Sequence, residues 1–351
     1  MNSAVSRRSI AGACVGLAAL LCLGDACAQA PAAGDIAGYA GADRAERLVA
    51  GARQEGTLTL YSSAPVEDTG ALAAAFETKY GVKVRLWRSG SEAILTRTLN
   101  ESRSGRFDVD AIETAGPEME ALTREGLLQR FASPALADLI ASAVRPDGAW
   151  VATRYSIFAA AYNTGAVAAA DVPHRYEDLR DAKWKGRLGI EADDANWFSS
   201  IVGALGEARG LDLFRDIVAR NGISIRKGHS LLANLVVSGE VPLALTAYGY
   251  RVDELKKRGA PIDKVYLPPV IALPTGVAVL RKAPHPFAAV LFADFMLTDG
   301  QAIMAQRRHV VTRRTIAAMP ADLTPIDLAK FIDEREKWTR LFKEIFVRQA
   351  R

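Results

Sequence analysis

Tyr248-Gly249-Tyr250-Arg251 is the stretch of this chain best equipped for chemistry. It follows Pro242 to Thr246, which reads as a strand, and if the strand continues, a spacing of two puts both phenol rings on one face. Phenol oxygens are hard donors, and a highly charged cation lowers their pKa enough to ionise them near neutrality. The same rings can instead be a stacking wall for an organic ligand, or exposed aromatics at a strand end. Glu113, after the run Phe107 to Ile112, offers a carboxylate for a metal ion or an ammonium group, or caps the next helix. Arg88-Ser89-Gly90-Ser91 precedes a predicted helix, where free N–H groups and the dipole favour an anion and Arg88 can clamp a carboxylate or phosphate. The plainer role there is an N-cap by Ser89 or Ser91. Ser62 and Ser63 close the first strand in the same region. Arg154, Tyr155, Trp197 and Arg251 complete the candidates; hinge packing, a core aromatic or a surface ion pair competes with ligand contact for each.

Alternating strands and helices are needed to place these groups. Helix is predicted over Arg44 to Gln54 and strand over Thr57 to Tyr61. A helix capped by Asp68 or Thr69 runs to Tyr80 and stops at Gly81. Val82 to Trp87 and Phe107 to Ile112 are strands, with Glu92 to Ser102 helical between them. The pattern repeats through the strand Arg187 to Ile190 and the helices Trp197 to Ala208, Leu211 to Arg220, Ser230 to Val237 and Val252 to Arg258. Val270 to Leu280 reads as a long strand broken by Pro274-Thr275-Gly276, and one helical apolar stripe joins Leu328 to Phe346. The fold class is α/β, with largely parallel sheets covered on both faces.

Composition narrows the function. Arg7 and Arg8 followed by the apolar run Ile10 to Leu23, with small residues at Ala28 and Ala30, read as a signal peptide over residues 1–30, cleaved near Ala30. Ser6 to Ile10 also fits a loose twin-arginine pattern. All three cysteines precede that cleavage point, so a mature chain lacks disulfides, thiolate catalysis and Cys-ligated metals. Pro31 to Asp43 reads as loose. Roughly 320 residues follow the signal peptide, more than one core usually holds. A formal charge of +4 with no dense basic stripe gives no case for nucleic acid. The four histidines (His174, His229, His285, His309) show no metal-ligand spacing, and the nucleophile-elbow, phosphate-loop and dinucleotide motifs are absent, so the chain is not read as an enzyme.

The co-linear order of short pieces resembles the family 1 extracellular solute-binding proteins of ABC transporters, nearest to the ferric-iron-binding periplasmic branch. Those pieces include Leu58 to Ser63, Ala71 to Phe76, Phe107-Asp108-Val109, Tyr162-Asn163-Thr164, Lys183 to Arg187, Ser238 to Pro242, Ala283 to Pro286 and Gly300-Gln301. The resemblance implies a periplasmic binding protein of type 2: two α/β lobes, two crossover strands, and a ligand cleft between the lobes. It sets lobe 1 at residues 31–154 plus 273–351, with the last helix reaching towards lobe 2, and lobe 2 at residues 155–272. Crossovers fall near Arg154 to Phe158 and Leu267 to Ala272. It implies a monomer that serves an ABC permease, with Fe(3+) as cargo rather than cofactor and Tyr248, Tyr250 and Glu113 as metal ligands. The chain departs from that branch in two places. Gly249 splits the tyrosine pair, and the loop Ser62 to Val66, where an early histidine is expected, has Pro65 instead. These departures keep open a small organic or phosphorylated anion as ligand. A sensory ligand-binding subunit would use the same lobes.

Overall fold

The computed structural model describes residues 33–316 and 323–347; the signal-peptide reading, its cleavage point and all three cysteines lie outside the described residues. Among the described residues twelve strands occur in chain order: Thr57–Ser62 (β1), Lys83–Arg88 (β2), Ala111–Ala115 (β3), Leu128–Gln129 (β4), Val151–Asn163 (β5), Leu188–Glu191 (β6), Ser224–Arg226 (β7), Leu243–Tyr248 (β8), Ile262–Val265 (β9), Val270–Leu280 (β10), Val310–Val311 (β11) and Leu323–Pro325 (β12). The main path runs β2-β1-β3-β10-β5-β8-β6-β7.

That path is two α/β lobes sharing one strand. Residues Val151 to Ile157 of β5 pair antiparallel with β10, whereas Phe158 to Tyr162 pair with β8 and Ala160 to Asn163 with β9. The shared strand therefore changes partners between Ile157 and Phe158. Parallel pairs β1–β2 and β1–β3 form the outer part of the first sheet and β6–β7 and β6–β8 that of the second, but β10 and β5 join them antiparallel, so the sheets are mixed rather than largely parallel as expected. Almost every residue of β5 and β10 is buried, the polar Thr153, Arg154, Ser156 and Thr275 included, so neither strand alternates between polar and apolar residues.

Separate aromatic clusters anchor the helices. In the first lobe Phe76 meets Phe292 and Phe295 edge to face. In the second, Phe198 and Phe214 pack on each other, and Trp338, Phe342 and Phe346 of the C-terminal segment close over them. Residues that share one helical face thus hold the end of the chain against the second lobe.

Several local expectations are corrected. The loose start contains a short helix, Ala33–Ala37. The helix expected from Asp68 or Thr69 begins at Val66, after Pro65. Proline's fixed φ suits the entry, and Asp68 is used elsewhere. The third strand lies later than its β-rich run, at Ala111–Ala115, which puts Glu113 in mid-strand. β10 is continuous; Pro274-Thr275-Gly276 produces a register shift against β5 instead of a break. The C-terminal stripe is three short pieces, Leu328–Asp333, Arg335–Phe342 and Lys343–Val347.

Candidate functional site

Tyr248 is the last residue of β8, and Tyr250 lies in the first turn of the helix Gly249–Lys257. The strand argument for a shared face therefore does not apply. The strand-to-helix turn brings the rings together instead, 5.9 Å apart and within 17° of parallel. The stack extends both ways. His229, first residue of the helix His229–Ser238, lies 4.0 Å from Tyr248, and His309 lies 4.0 Å from Tyr250. His309 precedes β11, which pairs with the first-sheet half of β5, so the stack carries contact from the second lobe to the first at the seam between them.

On the first-lobe side the charged groups are matched. His309 Nε2 lies 2.8 Å from Asp68, which also pairs with Arg307. Burial opposes the Asp68 carboxylate, but His309 and Arg307 outweigh it and hold its pKa low. Burial holds His309 below the ordinary imidazole value despite Asp68. Glu113 and Arg154 form a buried ion pair, and Ser62 donates its hydroxyl to the other Glu113 oxygen.

On the second-lobe side two buried carboxylates have one histidine between them. Glu191 ends β6, Asp194 precedes the helix Ala195–Leu205, and both are 3% exposed. His229 Nε2 lies 3.1 Å from Asp194 Oδ2. Backbone N–H groups of Asp193 (2.6 Å) and Gly228 (2.8 Å) donate to Glu191. Burial, then the Asp194 charge, push Glu191 up to about 7. Burial works against the His229 imidazolium, yet Asp194 and Glu191 lift it above its usual value. Burial, followed by the charges of Asp194, Tyr250, Glu191 and Glu118, pushes the Tyr248 phenol well up. Tyr250 is raised chiefly by burial. Both phenols are neutral near pH 7; the carboxylates around Tyr248 make a field there that favours a cation, whereas around Tyr250 Arg154 and Arg251 oppose Asp68 and Glu254.

The remaining predicted residues divide. Glu113 is not an open carboxylate: its mid-strand position aims it at Arg154, and its charge is already matched. Trp197 is fully buried between Tyr176 and Phe214, in the core rather than the cleft. Tyr155 is buried, with its hydroxyl donating to the Ser142 carbonyl at 3.1 Å. Neither Ser89 nor Ser91 caps: Gly90 is the N-cap residue and Ser91 the first helical one. Ser63 accepts from Thr114 at 3.2 Å. Arg88 lies beside Ser62 across the β1–β2 pair and donates through Nε to the Ala64 carbonyl at 3.0 Å, with its guanidinium on the surface. Arg251 donates to Glu254 at 2.6 Å. Spacing alone passed over Asp68, Glu191, Asp194, His229 and His309, because the partners are 35 to 241 residues apart. The visible signal was the acidic run after β6, Glu191-Ala192-Asp193-Asp194.

Known proteins agree with this architecture. The family model for bacterial extracellular solute-binding proteins matches residues 71–325. Iron uptake protein A1 of Synechocystis is 27% identical over 277 residues, covering 74% of this chain and 76% of that protein. The structure of iron-bound HitA from Pseudomonas aeruginosa is 25% identical with a TM-score of 0.71, covering 82% of this chain and 99% of that one. AfuA from Actinobacillus pleuropneumoniae, with fructose-6-phosphate bound, shares the fold at a TM-score of 0.72 and 22% identity, over 84% of this chain and 99% of that one.

Proposed function

The chain belongs to the bacterial extracellular solute-binding protein family, and from that premise we propose that it is the periplasmic cargo-binding component of an ABC importer for ferric iron or an iron–anion complex. One observation carries the choice of cargo. Two parallel phenols, Tyr248 and Tyr250, lie at the seam between the lobes, with the carboxylates of Glu191, Asp194 and Glu118 acting on Tyr248. A trivalent ion at the phenol oxygens ejects their protons and takes up the surrounding negative charge. A neutral or anionic ligand gains nothing from that field. The relatives named for iron uptake and the iron-bound HitA structure support the same choice.

In this reading residues 31–154 and 273–351 form one lobe and residues 155–272 the other. They hinge through β5 and the segment leading into β10. Cargo favours the shut form, and the membrane permease recognises it. The stack from His229 to His309 is the contact made on closure. The protein is exported on its N-terminal segment, works as a monomer and needs no resident cofactor.

The test is the visible spectrum of the mature protein titrated with ferric citrate. Ferric phenolate gives a charge-transfer band, which Tyr248→Phe or Tyr250→Phe weakens and the double change removes. A colourless protein stabilised by a phosphorylated or carboxylated compound would replace this reading with the anion one.

A further inference from the structure

We propose that Glu191, Asp194 and His229 are metal donors, and that with Tyr248 they form the carboxylate and imidazole part of the cargo site on the second lobe. This rests on the ferric reading above and deepens it. Each of the three offers a ligand atom, and these atoms all lie within 4.8 Å of one another. Donors bound to one ion at about 2.1 Å stand about 3 Å apart when adjacent in the coordination shell. The His229 Nε2 to Asp194 Oδ2 separation is already 3.1 Å. His229 also stacks on Tyr248 at 4.0 Å and 14°, which places the imidazole beside the phenol.

The charge pattern is independent of that distance. Among the described residues, the buried carboxylates of Asp68, Glu101, Glu113, Glu118 and Glu120 each have an arginine within 4 Å. Glu191 and Asp194 are as deeply buried, adjoin each other, and face no arginine or lysine there; Asp194 has only the His229 imidazole. Asp110 also lacks one, but it is a single carboxylate held by His285 and the Thr59 N–H. Two adjacent buried carboxylates that share one imidazole and face no arginine or lysine leave a charge unmatched, which is costly. A cation between them removes that cost. The two backbone N–H groups that hold Glu191 fix its direction and leave lone pairs for a metal, since each carboxylate oxygen accepts twice.

The elements suit the role. Parallel strands β6 and β8 end at Glu191 and Tyr248, and the loops that follow β6 and β7 deliver Asp194 and His229 to the same edge. Together with the two phenolates of the ferric reading, the two carboxylates supply enough negative charge for a trivalent ion. Glu113 cannot take this part, because Arg154 already neutralises it.

The experiment titrates the mature protein and its Asp194→Asn, Glu191→Gln and His229→Gln variants with ferric citrate and, separately, with Co(II), and follows visible absorption and the apo melting temperature. Asp194→Asn and His229→Gln are expected to lose at least tenfold in ferric affinity while keeping the phenolate band at saturating iron, and to leave the apo melting temperature unchanged or higher. A purely structural role predicts a lower apo melting temperature with unchanged affinity, which would overturn the proposal. Variants that bind iron within about threefold of the parent also overturn it. If the parent shows no ferric band but binds Co(II), and Asp194→Asn abolishes that binding, the donor set stands and the ferric reading falls. A parent that binds neither metal sinks both.

Discussion

Breaking the Arg154–Glu113 pair should be expensive, and breaking it from both sides should be much less so. The two side chains are 4% and 1% exposed, on β5 and β3, the two strands that flank β10. Arg154→Met leaves the Glu113 carboxylate buried with one hydroxyl donor, Ser62. Removing one partner of a buried pair costs about 3–5 kcal/mol, and the surviving hydrogen bond puts this case near the lower end, about 3 kcal/mol. Glu113→Gln strands the guanidinium at a similar cost. The double variant buries only neutral groups, so it should fall short of the sum of the singles by about 3 kcal/mol. Urea unfolding followed by the fluorescence of the five tryptophans measures all four corners of the cycle. Singles that each cost under about 1 kcal/mol, or strict additivity, would refute the reasoning. The cycle also bears on function. If the Glu113 charge is fully matched by Arg154, the folded double variant keeps ferric affinity within about threefold. A hundredfold loss would restore Glu113 as a ligand.

Other predictions concern separate parts of the molecule. Glu118 is held near 7 by burial, with Arg335 opposing and Glu92 and Asp193 adding to the shift. Its folded pKa lies above the ordinary 4.5, so it favours the folded state at low pH and that contribution is lost as pH rises from about 4.5 through 7. Over 2.5 pH units at about 1.36 kcal/mol each the ceiling is about 3 kcal/mol, and Glu118→Gln should flatten that part of the apo stability–pH curve. Phe198→Ala opens a hole where Phe214, Phe342 and Phe346 converge and should cost about 3–5 kcal/mol in urea unfolding. Gly276→Ala would put a Cβ 2.4 Å from both the Trp150 ring and the Val151 carbonyl; a loss of about 1–3 kcal/mol is expected.

The sequence carried the layout well because buried strands and amphipathic helices leave periodic marks. Strands β1, β2, β6 and β8 and most helices fall within a few residues of their apolar patterns. Glu113 was misread because the β-rich run Phe107 to Ile112 marks the approach to a strand whose paired residues begin only at Ala111. Trp197 stood open between ligand contact and a core aromatic, and the helical phase that turns it inward against Phe214 decides for the core. The two tyrosines were legible, but by a different geometry from the one that unites them. The His229–Asp194–Glu191 group was hidden for a general reason. Its members come from different strand-end loops, and no local spacing encodes which loops meet.

The most direct test of the account is the metal content of the protein purified natively from exporting cells, without refolding or added metal. The account predicts close to one iron per chain, falling to background when Tyr248 and Tyr250 are both changed to Phe. Protein that emerges free of iron, with a small organic or phosphorylated anion in its place, would contradict it.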